Sequence, residues 1–191
     1  MTEQLKPGLG HLDKIYSQFV NKTIPLWHKL NITPNILTTF GLISSLLCVY
    51  FIYKRNAILA ILFLWLRMYF DYADGMTARR YNQVSKFGDW YDHLSDTIGF
   101  ALPLIIVLFF TKNKWWYIIP ILFFMILSVI YVGCIEKKYD EKNKDLEESD
   151  TLKFAKKLCF SPDLFKWVDN SALYIVITIV IIILCIKEKK T

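Results

Sequence analysis

Residues 57–110 read AILAILFLWLRMYFDYADGMTARRYNQVSKFGDWYDHLSDTIGFALPLIIVLFF. Two apolar runs of membrane quality, 57–70 (apart from Arg67) and 97–110, enclose a segment that carries Asp71, Asp74, Asp92 and Asp96. An ionised side chain in a bilayer-grade helix costs about 2.5–3.5 kcal/mol on insertion scales unless it is paired, solvated or bound to a cation. A chain that sets four carboxylates at the margins of two such helices has a use for them.

The surrounding sequence agrees with a membrane setting. The chain has 191 residues, 54% hydrophobic and 16% aromatic, more apolar than a soluble domain of that size. Its net charge of +6 lies mostly in loops flanking apolar runs, where Lys and Arg meet anionic headgroups. No clustered basic face is visible, which argues against nucleic acid as a partner. Cys48, Cys134, Cys159 and Cys185 show neither a CxxC pair nor metal-ligand spacing. They are expected as small buried hydrophobes, with no disulfide framework. Residues 1–33 hold no uninterrupted apolar core of signal-peptide length. The first membrane segment is therefore expected to act as an uncleaved anchor.

Leu12, Ile15, Tyr16, Phe19 and Val20 recur at helical spacing, with Asp13, Lys14, Gln18 and Asn21 opposite. This predicts an amphipathic helix over 12–24, too short and polar to span, that either lies on the membrane surface or docks on a helix bundle. Thr33-Pro34 is a helix start, Thr at the N-cap and Pro at the first helical position. Five spans follow, over 34–53, 57–79, 88–111, 115–135 and 168–186, each near the ~20 residues that cross a bilayer. Trp115, Trp116 and Tyr117 stand where interfacial aromatics belong, while Pro103 and Pro120 are read as kinks or turns. Residues 136–167 form a charged connector in which DTLKFAKKLCF (150–160) can make a short surface helix. The expected fold is all-α: a polytopic transmembrane helix bundle with an N-terminal amphipathic surface helix. Residues 1–33 are its juxtamembrane segment and 34–191 its membrane domain. The larger share of Lys and Arg on the N-terminus, the 80–87 loop and the connector places that face in the cytoplasm.

On a helix at 100° per residue, Asp71, Asp74, Gly75 and Ala78 share one face. Gly88, Asp92 and Asp96 form a second stripe, and the residues between Arg79 and Gly88 suffice to reverse the chain. Two antiparallel helices then present both carboxylate stripes to each other. Four converging carboxylates in a partly dry site repel, and cannot all stay ionised alone. Mg²⁺ or Mn²⁺ resolves this, because such ions take hard oxygen ligands and commonly bridge substrate phosphates. A pair of ions about 4 Å apart suits phosphoryl displacement. Small Gly75, Ala78 and Gly88 would let a nucleotide diphosphate approach the backbone, and Arg79 offers a fork to phosphate.

The pattern Asp71-x2-Asp74-Gly75-x2-Ala78-Arg79-x8-Gly88-x3-Asp92-x3-Asp96 resembles the complete signature of the CDP-alcohol phosphotransferase family. Thr33-Pro34-Asn35-x2-Thr38 is similar to the start of that family's first span. The resemblance implies an integral membrane enzyme of six core spans, hence five to six here, with its site at the cytosolic face. It implies displacement of CMP from a CDP-linked lipid or CDP-alcohol donor by an alcohol or diacylglycerol hydroxyl. Asp71, Asp74 and Asp92 would be metal ligands, and Asp96 the general base, also touching a second metal. Gly75, Ala78, Arg79 and Gly88 would line the CDP site, and a homodimer is expected. ARR-x-N, Ser85, the acid after Gly88 and Asp92-His93 are shared with choline/ethanolamine phosphotransferases. Asn82-Gln83 and Phe87-Gly88, with the chain length, look like phosphatidylinositol synthases. The acceptor stays open between them, motif detail leaning to the aminoalcohol branch.

Plainer readings stand beside these. The acids are otherwise helix-end charges bridged to Arg67, Arg79 and Arg80. Arg67, one turn before Asp71, is expected to pair with it or to meet substrate. His93 competes with Asp96 as base, its pKa suiting work near neutrality, but at i+1 from Asp92 it points about 100° away. Asp89 is an outer-shell ligand or a favourable charge at a helix N-terminus. His11 and His28 are read as surface residues. A reading of another class is a non-catalytic membrane relative that holds cations on the Asp cluster.

Overall fold

The computed structural model describes residues 9–111, 114–142, 153–159 and 169–187. All their regular elements are helices: α1 (His11–Asn21), α2 (Ile24–Lys29), α3 (Pro34–Tyr53), α4 (Ala57–Arg80), α5 (Lys86–Phe110), α6 (Lys114–Lys142), α7 (Lys153–Lys157) and α8 (Asn170–Lys187). Two of them, Pro34–Tyr53 and Lys114–Ile135, are long and apolar enough to cross a membrane, and Asn170–Ile186 is a shorter apolar helix. α4 and α5 have the length but carry the acidic segment. α5 runs on through Pro103, and Pro120 lies inside α6. The connector begins as helix, since α6 continues to Lys142. Residues 143–152 and 160–168 of that connector lie outside the described residues.

The helix ends follow local chemistry. Thr33 holds the N-cap of α3 in an extended conformation, but its hydroxyl makes no capping bond; Pro34 starts the helix. Asn56 and Ser85 do cap, accepting from Leu59 N at 3.1 Å and Gly88 N at 3.0 Å. Three helices end alike, with Asn31, Arg55 and Asn82 at φ 55°, 56° and 53°. Each lets the next amide reach back five residues: Ile32 to Trp27 O, Asn56 to Phe51 O and Gln83 to Ala78 O, at 2.8–3.0 Å. That is the left-handed cap that Asn tolerates better than most residues.

The chain divides into two compact units. In the larger, 18–118 with 177–191, α3 packs on both α4 and α5, and α2 rests on α4. The end of α1 and the start of α2 are moored there by a polar relay. Trp27 Nε1 donates to Tyr69 OH at 2.9 Å, and Tyr69 OH donates to Thr23 Oγ1 at 2.6 Å. His28, expected as a plain surface residue, is exposed but stacks on Tyr81 with centroids 3.6 Å apart.

The smaller unit, 1–17 with 119–176, corrects the cysteine expectation. Cys134 and Cys159 form a disulfide, Cα atoms 5.1 Å apart, while Cys48 and Cys185 are buried thiols outside it. The neighbouring Gly133 explains the approach: a Cβ there would overlap the Ala155 carbonyl. Leu9 and Leu127 pack on the same core as Tyr131, Cys134 and Ile135.

The start of α1 inverts the usual burial. Asp13 and Ser17 are buried, whereas Leu12, Ile15 and Phe19 are exposed. Asp13 Oδ1 accepts from Ser171 N at 2.8 Å and Ser171 Oγ at 2.6 Å. Asp169 reciprocates, its Oδ2 accepting from the amides of Leu12 and Asp13 at 2.9 Å each. Each carboxylate thus caps the other's helix N-terminus, and Tyr131 OH accepts from Gly10 N at 2.7 Å beside them. Stranding buried donors is expensive. Asp13→Ala is therefore expected to lower stability by about 2–3 kcal/mol, with Asp13→Asn, which keeps one acceptor, losing less. Thermal unfolding in detergent measures both; equal midpoints for wild type and Asp13→Ala would refute the reciprocal cap.

Candidate metal and diphosphate site

The four spaced acids come from the middle of two helices, where backbone amides are already used in the i to i−4 ladder. Side chains on the neighbouring helices therefore matter most to them. The structure places Asp71 and Asp74 from α4 and Asp92 from α5 around one cleft, with Thr38, Gly41, Arg67 and Ser95 completing the lining. Two antiparallel helices were expected to hold this site between them. Three do: α3 packs against both α4 and α5 and supplies Thr38 and Gly41.

Thr38 Oγ1 donates to Asp74 Oδ2 at 2.6 Å, the short separation of a charge-assisted bond. Both residues are 4% exposed. Asp71 lies within electrostatic reach of Arg67, Asp74, Asp92 and Asp96. Arg67, expected beside Asp71 on its own helix, reaches across to α5, where Nη2 donates to Asp96 Oδ1 at 2.7 Å. Oxygens of Asp92 and Asp96 and a ring nitrogen of His93 lie within 4.8 Å of one another. His93 is thus nearer its acidic neighbours than its angular offset implied. It also stands 3.6 Å from Asp89, one turn earlier on a more exposed face.

The small residues have local reasons. A Cβ on Gly75 would come 3.1 Å from Arg79 Nη1, so this glycine lets the guanidinium fold back over α4. A Cβ on Gly88 would meet Ser85 Oγ at 3.0 Å and Asn35 Oδ1 at 3.2 Å, so Asn35 and Gly88 adjoin at the mouth of α3 and α5. Thr39 Oγ1 and Tyr91 OH link the same two helices at 3.0 Å. Ala78 and Arg79 are half-buried toward the end of α4. Sequence reasoning passed over Gly41, Ser95 and Gly99. Their signal was spacing: each follows Thr38, Asp92 or Asp96 by three residues, on the same helical face.

The family profile for CDP-alcohol phosphatidyltransferase matches residues 31–187. The chain belongs to this family. An uncharacterized protein of Aquifex aeolicus (strain VF5) is 36% identical over 103 residues, 54% of this chain and 49% of the relative. A CDP-diacylglycerol–glycerol-3-phosphate 3-phosphatidyltransferase of the same organism is 31% identical over 95 residues, 50% and 52% of the two chains. An archaetidylinositol phosphate synthase of Pyrococcus horikoshii is 42% identical over 72 residues, 38% of each. The chain thus spans about half, or less, of the length of these curated relatives. No solved structure matches it.

Within this member of the CDP-alcohol phosphatidyltransferase family, Thr38 tests whether the cleft works as a cation site. Groups that orient a metal ligand typically govern affinity by 10–100-fold. Thr38→Val keeps the shape and removes the donor to Asp74, so Mn²⁺ binding by the purified protein should weaken about tenfold. An unchanged titration would leave Thr38 as a residue that merely back-bonds Pro34 O, which it also reaches at 3.2 Å.

Proposed function

We propose that this protein is an integral membrane enzyme of phospholipid synthesis. It transfers a substituted phosphate from a CDP-linked donor to an alcohol hydroxyl and releases CMP. The observation that carries the proposal is the single cleft shared by Asp71, Asp74 and Asp92, with Asp96 tied to its wall by Arg67. The donor set suits Mg²⁺ or Mn²⁺, being dominated by carboxylate and hydroxyl oxygens. Asp71, Asp74 and Asp92 would hold the metal, with Asp96 added for a second ion. When bound, such ions offset the charge of a diphosphate and of the oxygens in an in-line displacement.

The residues themselves supply the rest. Gly75, Ala78, Arg79 and Gly88 form the edge on which a CDP diphosphate rests, Arg79 providing a fork to its oxygens. Asn35 sits beside Gly88 at the same edge. Asp96 accepts the proton of the alcohol as its oxygen attacks the phosphorus distal to cytidine. The bond from that phosphorus to the bridging oxygen breaks, and the electron pair leaves with CMP. His93, with Asp89 behind it, is the second candidate for that proton.

Donor identity follows from what the motif details do. Asn82 takes the left-handed cap of α4 and Ser85 the N-cap of α5. Both have backbone reasons, so they carry little weight for the aminoalcohol branch. Relatives named for CDP-diacylglycerol favour a donor in which the lipid carries CDP and an acceptor that is a polar alcohol, as in the phosphatidylinositol synthase alternative.

We place the protein across the membrane through α3, α4, α5, α6 and α8, with the cleft at the cytosolic face and a homodimer as its assembly. Exposed apolar side chains such as Ile43, Leu46, Trp116, Phe123, Ile126 and Ile179 support lipid-facing surfaces. α1 belongs on the membrane surface, since Leu12, Ile15 and Phe19 face outward and its acid is buried. The segment 1–33 and the membrane domain 34–191, with its connector 136–167, are kept as the working division.

The test is CMP release by purified protein in lipid nanodiscs. CDP-diacylglycerol is offered with serine, glycerol phosphate or inositol compounds, and CDP-choline or CDP-ethanolamine with diacylglycerol. Release should require Mg²⁺ or Mn²⁺, stop with chelator, and fall about 10²–10⁴-fold in Asp96→Asn. No CMP from any pair would reject the enzyme and leave a non-catalytic cation-binding relative.

A further inference from the structure

Arg67 is the charge that the spaced motif does not contain. It sits in the interior of α4, one turn before Asp71 and within an apolar run, and is 4% exposed. A guanidinium so placed is costly unless its partners compensate it. Two features on α5 do so. Asp96 Oδ1 accepts from Nη2 at 2.7 Å, and Gly99, one turn further, leaves the space into which the guanidinium fits. A Cβ on Gly99 would collide with Arg67 Nε and stand 2.8 Å from Nη2. The seat is built from both helices: a cation on one and a missing side chain on the other.

We propose that Arg67, seated on Gly99, is the positioning residue for Asp96 and the resident counter-charge of the carboxylate cleft. Its bond occupies one oxygen and sets the plane of the carboxylate, presenting Oδ2 to an acceptor hydroxyl. Its charge offsets repulsion among the acids, Asp71 included, with which it interacts directly through space. The positioning half rests on the reading of Asp96 as base; the counter-charge half does not.

These roles predict effects of opposite sign. Removing a cation from beside four carboxylates makes the cleft more attractive to a divalent ion, while freeing Asp96 to rotate slows turnover. A residue that only braced the helices would move both downward. The experiment follows free Mn²⁺ by electron paramagnetic resonance and CMP release in parallel, on the full chain in nanodiscs. Arg67→Met should bind Mn²⁺ several-fold more tightly yet release CMP at least tenfold more slowly. Its KM for the donor should stay within about twofold, as expected for an interaction felt in the transition state. Arg67→Lys should restore part of the turnover. Gly99→Ala, which displaces the guanidinium but keeps the charge, should slow turnover with Mn²⁺ affinity within about twofold. Mn²⁺ affinity unchanged or weakened in a folded Arg67→Met overturns the proposal, as does unchanged turnover. Should Arg67→Met not fold, Gly99→Ala decides, and normal turnover there overturns it. Should the wild type release no CMP from any donor, the enzymatic reading fails by itself. The Mn²⁺ titration of Arg67→Met then decides the counter-charge alone, tighter binding upholding it and equal or weaker binding overturning it.

Discussion

Carboxylates cannot be gathered among closely packed helices without something to balance them, and this requirement orders the larger unit of the structure. α4 and α5 bring the acids, so they cannot close on each other as two apolar helices would. α3 fills the role of common partner, packing on both and lending the Thr38 hydroxyl to Asp74. Arg67 crosses to Asp96 where Gly99 admits it. The small residues at Gly41, Ser95 and Gly99 are the complement of that arrangement, because each larger side chain would take space from a charge or its partner.

The turn between the acidic helices is governed as tightly as the cleft. Asn82 closes α4 in the left-handed conformation, and Ser85 opens α5 by accepting from Gly88 N. With so few residues between them, the two caps set the register of Asp71 and Asp74 against Asp92 and Asp96. They also bring Gly88 beside Asn35. Residues that in the bare sequence look like markers of substrate choice are here doing backbone work.

What could be read from the sequence depended on how local its cause was. The helix over 34–53 was legible to the residue, because Pro34 opens it and Lys54-Arg55-Asn56 closes it. The spacing of the acids predicted that all four converge; Asp71, Asp74 and Asp92 line one cleft, and Asp96 meets Arg67 of that lining. The partner of Arg67 was not legible, since the nearest acid along the helix is Asp71 and the one it meets belongs to another helix. The disulfide was hidden for the same reason. It needs α7 to lie against Gly133, a tertiary contact with no mark in cysteine spacing. The periodicity of α1 was plain, but periodicity gives two faces and does not say which one meets protein. Burial of Asp13 decided that, against the usual rule for an amphipathic helix.

That burial sets up a comparison within one chain. Asp13 and Asp169 are as deeply enclosed as any acid among the described residues, yet helix N-termini surround them, and backbone amides bond their oxygens. Nothing remains for such a carboxylate to bind, and its charge is balanced by two helix dipoles pointing at it. Asp71, Asp74 and Asp92 lie in helix interiors, where most amides are committed to the ladder. Thr38 lends Asp74 a hydroxyl and Arg67 lends Asp96 a guanidinium. Burial alone therefore does not mark a working acid in this protein; the contrast lies in where along a helix the acid stands. An aspartate at a helix start is answered by the backbone. An aspartate in mid-helix is answered chiefly by side chains, as Asp74 is by Thr38 and Asp96 by Arg67.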